Sequence, residues 1–241
     1  MKIFRTIYAC WFFFNFLWVF IVLLPFFYIA FSKPSWYKYG HKLRAFWGRT
    51  ILILGFVRLK VYNKHLLDRN KTYVVVANHA SYFDIISITC GIPIDLNFMS
   101  KIQLQKIPLF GIFSKSIDIA VDRRNAIQSA KAYMRANDQL KNNVRSICIF
   151  PEGGIKDMSP LVSKFKEGAF KMAVENQTTI LPVSILDNWK LSPNDKFEGR
   201  PGIMRIYIHE PIDTKNMELN EVNKLCDNTY HTIKQKVEEN I

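Results

Sequence analysis

Acidic residues are missing from the opening stretch of this chain: residues 1–67 hold ten Lys and Arg and no Asp or Glu. Of the 33 basic residues that leaves 23, which nearly balance the 20 acidic ones, so the formal charge of +13 belongs to the N-terminal region. A block of one sign binds anionic lipid or nucleic acid. No Arg- and Lys-rich face interleaved with aromatics occurs outside that region, which argues against nucleic acid. Cysteine is scarce. Cys10, Cys90, Cys148 and Cys226 form no C-x-x-C and no Cys/His pairing, which excludes a disulfide framework and indicates no metal site, and leaves four free thiols in a reducing compartment. No G-x-S-x-G is present, so a serine nucleophile has no candidate. No internal repeat, low-complexity tract or second-domain linker interrupts the chain.

Apolar residues, by contrast, are concentrated. Ile7 to Phe31 carries no formal charge and is rich in Phe, Trp, Leu and Val; as a helix it would be roughly 37 Å long, enough to reach across a bilayer. The run is too long for a signal peptide and no small-x-small cleavage site closes it. Pro25 would kink it or let it lie within one leaflet. After Lys33-Pro34 a second helical pattern sets Trp36, Tyr39, Leu43, Phe46, Trp47, Ile51 and Leu54 on one side and Lys38, Lys42 and Arg49 on the other, the profile of an interfacial helix. Residues 1–56 therefore read as a membrane anchor facing anionic lipid. The positive load after the apolar run places the rest of the chain in the cytoplasm, on the inner-membrane surface.

From residue 57 to 241 the pattern changes to one α/β domain. Strands are expected at Val57–Tyr62, Tyr73–Ala77, Asn97–Met99, Ile117–Val121, Ser146–Phe150, Thr179–Ser184 and Ile203–Ile208. Helical patterns at Ser81–Cys90, Ala126–Asn142, Lys166–Asn176 and Leu219–Glu239 alternate with them. The alternation implies a mixed, largely parallel sheet of about seven strands flanked by helices.

Two short segments carry the chemistry. Asn78-His79-Ala80-Ser81-Tyr82-Phe83-Asp84 follows one apolar strand and Phe150-Pro151-Glu152-Gly153 follows another. Residues i and i+5 of a continuous helix do not share a face, so His79 must precede the helix. Ser81 suits its N-cap and Asp84 its first turn, from which a carboxylate can turn back to the imidazole. With five His, an H-x4-D pair arises by chance in roughly one such chain in four. Phe-Pro-Glu-Gly is far rarer, and its order after the His-Asp pair is what gives the pair weight. His41, His65, His209 and His231 have no carboxylate at matching spacing and read as surface or structural residues.

On these blocks the chain resembles the glycerolipid acyltransferases, and most closely the 1-acylglycerol-3-phosphate (lysophosphatidic acid) acyltransferases. The family's N-H-x4-D block is Asn78 to Asp84. A second block with a basic end is Gly111 to Arg124, ending Val121-Asp122-Arg123-Arg124, the third is Phe150 to Gly153, and the fourth is Ile180-Leu181-Pro182-Val183. The resemblance covers roughly residues 60 to 210. It implies that His79 acts as general base on the free hydroxyl of lysophosphatidic acid, that Asp84 orients it, and that Glu152 and Gly153 position the glycerol-phosphate part. It also implies that Arg123 contacts the phosphate. The family often continues its third block with Thr-Arg, whereas this chain has Gly154-Ile155, so Lys156, Arg123 and Lys101 are the cations left for that contact. The co-substrate would be an acyl thioester, either acyl-CoA or acyl carrier protein, with no further cofactor. Rival readings are another lyso-acceptor, or a catalytically silent protein that binds anionic lipid.

Overall fold

The computed structural model describes residues 2–107, 110–122, 124–156, 159–193 and 196–241. In chain order the elements are α1 (Lys2–Ala30), α2 (Tyr37–Leu54), β1 (Val57–Tyr62), β2 (Val74–Ala77), α3 (Phe83–Gly91), β3 (Leu96–Lys101), α4 (Gly111–Lys115), β4 (Ile119–Val121), α5 (Ala126–Lys141), β5 (Ser146–Ile149), α6 (Gly168–Glu175), β6 (Ile180–Ile185), α7 (Asn188–Leu191), β7 (Gly202–Ile208) and α8 (Val222–Glu238). The strands expected from sequence recur with shifts of up to two residues at their ends.

Among the described residues they form one seven-stranded sheet in the order β1-β7-β6-β2-β5-β3-β4. Every neighbouring pair is parallel except β6 with β7. The central strand shows why. Val74-Val75-Val76-Ala77 is buried throughout, as a strand covered on both faces must be. Alternate side chains point to opposite faces, so Val74 and Val76 join Ala132, Leu140, Phe170 and Ile233 from α5, α6 and α8. Val75 and Ala77 join Ile88 and Ile92 at α3 on the other side.

A third apolar cluster lies outside α3. It gathers Phe12, Phe20 and Phe27 of α1, Trp47 and Ile51 of α2, Phe83 and Cys90 of α3 and Phe113 of α4. Ring centroids of Phe12 and Phe83 are 4.5 Å apart and those of Phe20 and Phe110 4.7 Å. Such pairs add about 0.5–1.5 kcal/mol each beyond the area they bury. Helix α1 continues unbroken through Pro25 and is fastened along its length. Gly199 N–H donates to Arg5 O (3.1 Å), Tyr8 Oη to Gly55 O (2.6 Å), Trp11 Nε1 to Leu54 O (3.0 Å), and Trp47 Nε1 to Phe16 O (3.2 Å).

The single apolar stripe expected on α2 divides in two. Trp36, Tyr39 and Phe46 are exposed with Lys38, Lys42 and Arg49, whereas Trp47 and Ile51 are buried against α1 and the domain. The physical reason is that periodicity marks an apolar face but not its partner, and here an exposed sector and a protein-facing sector adjoin.

Candidate active site

In a parallel sheet the strand carboxyl ends lie along one edge, and β2, β3, β5 and β6 deliver the motif residues there. Asn78, just past β2, ties that strand to β6. Its Nδ2 donates to Ile185 O (3.0 Å) and its Oδ1 accepts from Ile185 N–H (2.8 Å), so one side chain continues the ladder where the strands part. His79 follows. Its backbone N–H donates to Glu152 Oε1 (2.8 Å), its ring stacks on Phe150 at 4.2 Å between centroids, and its Nδ1 lies 2.8 Å from Asp84 Oδ2.

The turn into α3 aims that carboxylate. Ser81 Oγ accepts from Phe83 N–H (3.2 Å), and Asp84 reaches back so that Oδ2 accepts from Ala80 N–H (2.7 Å) and Ser81 N–H (2.9 Å). Asp84 Oδ1 accepts from Asn188 Nδ2 (2.8 Å), and Asp84 is fully buried. A carboxylate holding four donors only accepts, so His79 Nδ1 carries the proton and Nε2 is left as the basic nitrogen.

Glu152 sits behind His79, with Oε1 on His79 N–H and Oε2 on Ser163 N–H (2.9 Å). Burial pushes its carboxyl above the usual range, opposed by these two N–H donors. Gly153 and Gly154 follow with φ of 86° and 139°, backbone that L side chains rarely adopt. The Lys101 ammonium, at the end of β3, stands 3.5 Å from where a Cβ on Gly154 would be. The structure thus brings His79, Asp84, Glu152, Gly153 and Lys101 to one sheet edge. Lys156 is exposed on the loop after Gly154, and Arg123 lies outside the described residues.

Sequence reasoning missed several partners. Asn188 stands three residues past β6, at a strand carboxyl end like His79, and that position was its one available signal. Arg44, on α2, is buried and bidentate to Asp118 (2.9 and 3.0 Å), with its guanidinium 5.0 Å from the Phe98 ring centroid. Arg44 and Asp118 line a cavity of about 600 Å³ between α1, α2 and the domain. Its walls are chiefly apolar and rich in aromatics, including Phe12, Phe16 and Trp47, and it reaches Tyr82, Phe83 and Phe98 beside the turn that carries His79 and Asp84. All four cysteines are free, and burial pushes the Cys90 thiol up to about 12 and that of Cys226 to about 11, which suits neither to nucleophilic attack. Among the described residues, no three His, Cys, Asp or Glu side chains gather as metal ligands.

The Acyltransferase family model matches residues 58–186. An uncharacterised acyltransferase of Schizosaccharomyces pombe is 28% identical over 188 residues, which are 77% of this chain and 67% of that protein. The 1-acyl-sn-glycerol-3-phosphate acyltransferase of Saccharomyces cerevisiae is 29% identical over 187 residues, 76% of this chain and 61% of its own length. The chain thus spans about two thirds or less of these curated relatives. The crystal structure of the 1-acyl-sn-glycerophosphate (LPA) acyltransferase PlsC from Thermotoga maritima superposes with a TM-score of 0.80 at 24% identity, over 98% of this chain and 96% of that one. At that identity the likeness is one of fold.

Proposed function

The chain belongs to the Acyltransferase family, and on that basis we propose that it moves a fatty acyl group from an acyl thioester to the free hydroxyl of 1-acylglycerol-3-phosphate (lysophosphatidic acid), giving phosphatidic acid. The observation that carries the reading is the 2.8 Å contact of His79 Nδ1 with an Asp84 carboxylate held by two backbone N–H groups. His79 Nε2 takes the hydroxyl proton as the oxygen attacks the thioester carbonyl, and Asp84 steadies the imidazolium that forms. The carbonyl carbon gains the C–O bond and loses the C–S bond, and the imidazolium returns its proton to the departing thiolate. No acyl-enzyme is needed, consistent with the poorly acidic thiols of the buried Cys90 and Cys226.

Glu152 serves this chemistry through the backbone it grips, holding His79 in place, while Gly153 and Gly154 let the chain pass close to the glycerol-phosphate. Arg123 contacts the phosphate as in the family, and among the described cations Lys101, beside Gly154, is the one best placed to share the load, with Lys156 as the other, since a phosphate dianion calls for Lys or Arg donors. The aromatic cavity takes an acyl chain, at about 0.8 kcal/mol per methylene buried. The donor thioester is carried by CoA or by acyl carrier protein.

The same reading assigns α1 to one leaflet of the membrane, with the domain on the cytoplasmic side. A helix that crosses a bilayer leaves its soluble domain, whereas this one is bound to α2 and the domain from Arg5 to Phe31. Its other side, with Phe14, Trp18, Ile21 and Val22, is exposed and suits an interfacial position against anionic lipid.

The test is an acyltransfer assay with lysophosphatidic acid, glycerol-3-phosphate and neutral lyso-acceptors against acyl-CoA and acyl carrier protein donors. His79→Ala should lower turnover by roughly 10²- to 10⁴-fold in a folded protein. Wild-type turnover in that variant removes the mechanism, and preference for a neutral acceptor removes the substrate assignment.

A further inference from the structure

Four donors converge on Asp84, and three of them, His79 Nδ1, Ala80 N–H and Ser81 N–H, share Oδ2. The remaining oxygen, Oδ1, receives Asn188 Nδ2 at 2.8 Å, from a residue distant in sequence. Asp84 is fully buried and Asn188 is 1% exposed, so solvent has no access to replace that donor.

We propose that Asn188 is a positioning residue for the His79–Asp84 pair, fixing the rotation of the Asp84 carboxylate so that Oδ2 stays on the imidazole. The proposal rests on the reading of His79 as general base. A carboxylate held through one oxygen can swing about its Cβ–Cγ bond, and a donor on the other oxygen stops that swing. The amide's own bonding points the same way. Its Nδ2 donates both to Asp84 Oδ1 and to Ser87 Oγ (3.0 Å), while its Oδ1 is buried with no hydrogen-bond partner. An orphaned buried acceptor is costly, and turning the amide over would set its oxygen against the carboxylate. The fold therefore retains an unfavourable group in order to present N–H to Asp84.

The frame around Asn188 is correspondingly stiff. Asp187, its neighbour, is gripped bidentately by Arg205 of β7 (2.6 and 2.7 Å). The Asn78 bridge to Ile185 sets the end of β6 against the end of β2. Asn188 and His79 are thereby held in one register from two directions.

The experiment compares Asn188→Ala and Asn188→Leu in the full-length protein, each in the wild-type and in the Asp84→Asn background, measuring kcat, the KM of both substrates and Tm. Both variants should lose about tenfold to hundredfold in kcat with KM little changed, since Leu restores bulk but no donor. In the Asp84→Asn background the same substitutions should cost less than about twofold, because a residue acting through Asp84 has nothing left to act on. Recovery of kcat by Asn188→Leu, an equal loss in both backgrounds, or wild-type kcat in Asn188→Ala would each overturn the proposal. His79→Gln run alongside separates the two readings: if it turns over like wild type the base assignment itself falls, and if it is inactive while Asn188→Ala is unimpaired, only the role of Asn188 falls.

Discussion

Glu152 commits both carboxylate oxygens to backbone N–H groups, one on His79 and one on Ser163. Glu152→Gln keeps its shape but turns one oxygen into an NH₂ that faces a donor. That leaves a buried N–H unpaired at about 1–3 kcal/mol, so Tm should fall, and kcat with it as the His79 backbone loosens. Unchanged thermal unfolding and turnover would show that the bracing is dispensable. His209 offers a separate test through pH. Its Nε2 lies 2.8 Å from Ser184 Oγ, and burial, helped by Lys236, lowers its pKa from the ordinary 6.5 to about 4. Above 6.5 the imidazole is neutral folded or unfolded and the contribution to stability is full. As pH falls from there towards 4 the unfolded chain takes up the proton first, and the contribution is lost. His209→Gln should therefore lose less Tm than the wild type between pH 7 and 5, and parallel curves would refute the assignment. At this scale sequence spacing was informative only for near neighbours. His79 and Asp84 are five apart and could be paired by geometry, whereas Asn188 meets Asp84 only after the sheet has closed, and no local pattern encodes that.

Strands and helices were readable because period-2 and period-3.6 patterns are local properties. The buried run Val74–Ala77 and the alternation along Gly202–Ile208 follow from burial on two faces and on one. The partners of a face were not readable, and α2 shows the limit. Arg44 enters the sequence only as one of the ten basic residues of the N-terminal block, yet it is buried in a bidentate pair with Asp118 and donates to Leu96 O (3.1 Å). Asp118 Oδ1 in turn accepts from Phe98 N–H (3.0 Å), so the pair joins α2 to β3 and the segment before β4. Removing one partner of such a pair strands the other in an apolar site, at about 3–5 kcal/mol. Arg44→Met alone should destabilise by that order in chemical denaturation, and Arg44→Met with Asp118→Leu should recover most of the loss. If the double variant is no more stable than the single one, the pair does more than neutralise itself.

For the molecule as a whole, the exposed side of α1 and the basic rim of α2 make opposite demands on salt. On the proposed membrane reading, screening weakens the contacts that Lys33, Lys38, Lys42 and Arg49 make with anionic lipid but leaves apolar burial intact. The protein should stay with membranes in high salt and come off only with detergent. Replacing Phe14, Trp18 and Ile21, all exposed on α1, by polar residues should make it salt-extractable. Retention of that triple variant in high salt would mean the helix holds by other means. The long apolar helix was legible in sequence from length and composition; that its inner face completes a cavity was not, because both faces are equally apolar. Tyr8, Phe12, Phe16, Arg44 and Trp47 line the same chamber as Phe98 and Phe113. Trimming the chain at residue 56 to obtain a water-soluble protein would therefore remove one side of the vessel proposed for the fatty chain, and on that proposal a detergent tail would compete for the space in the intact protein.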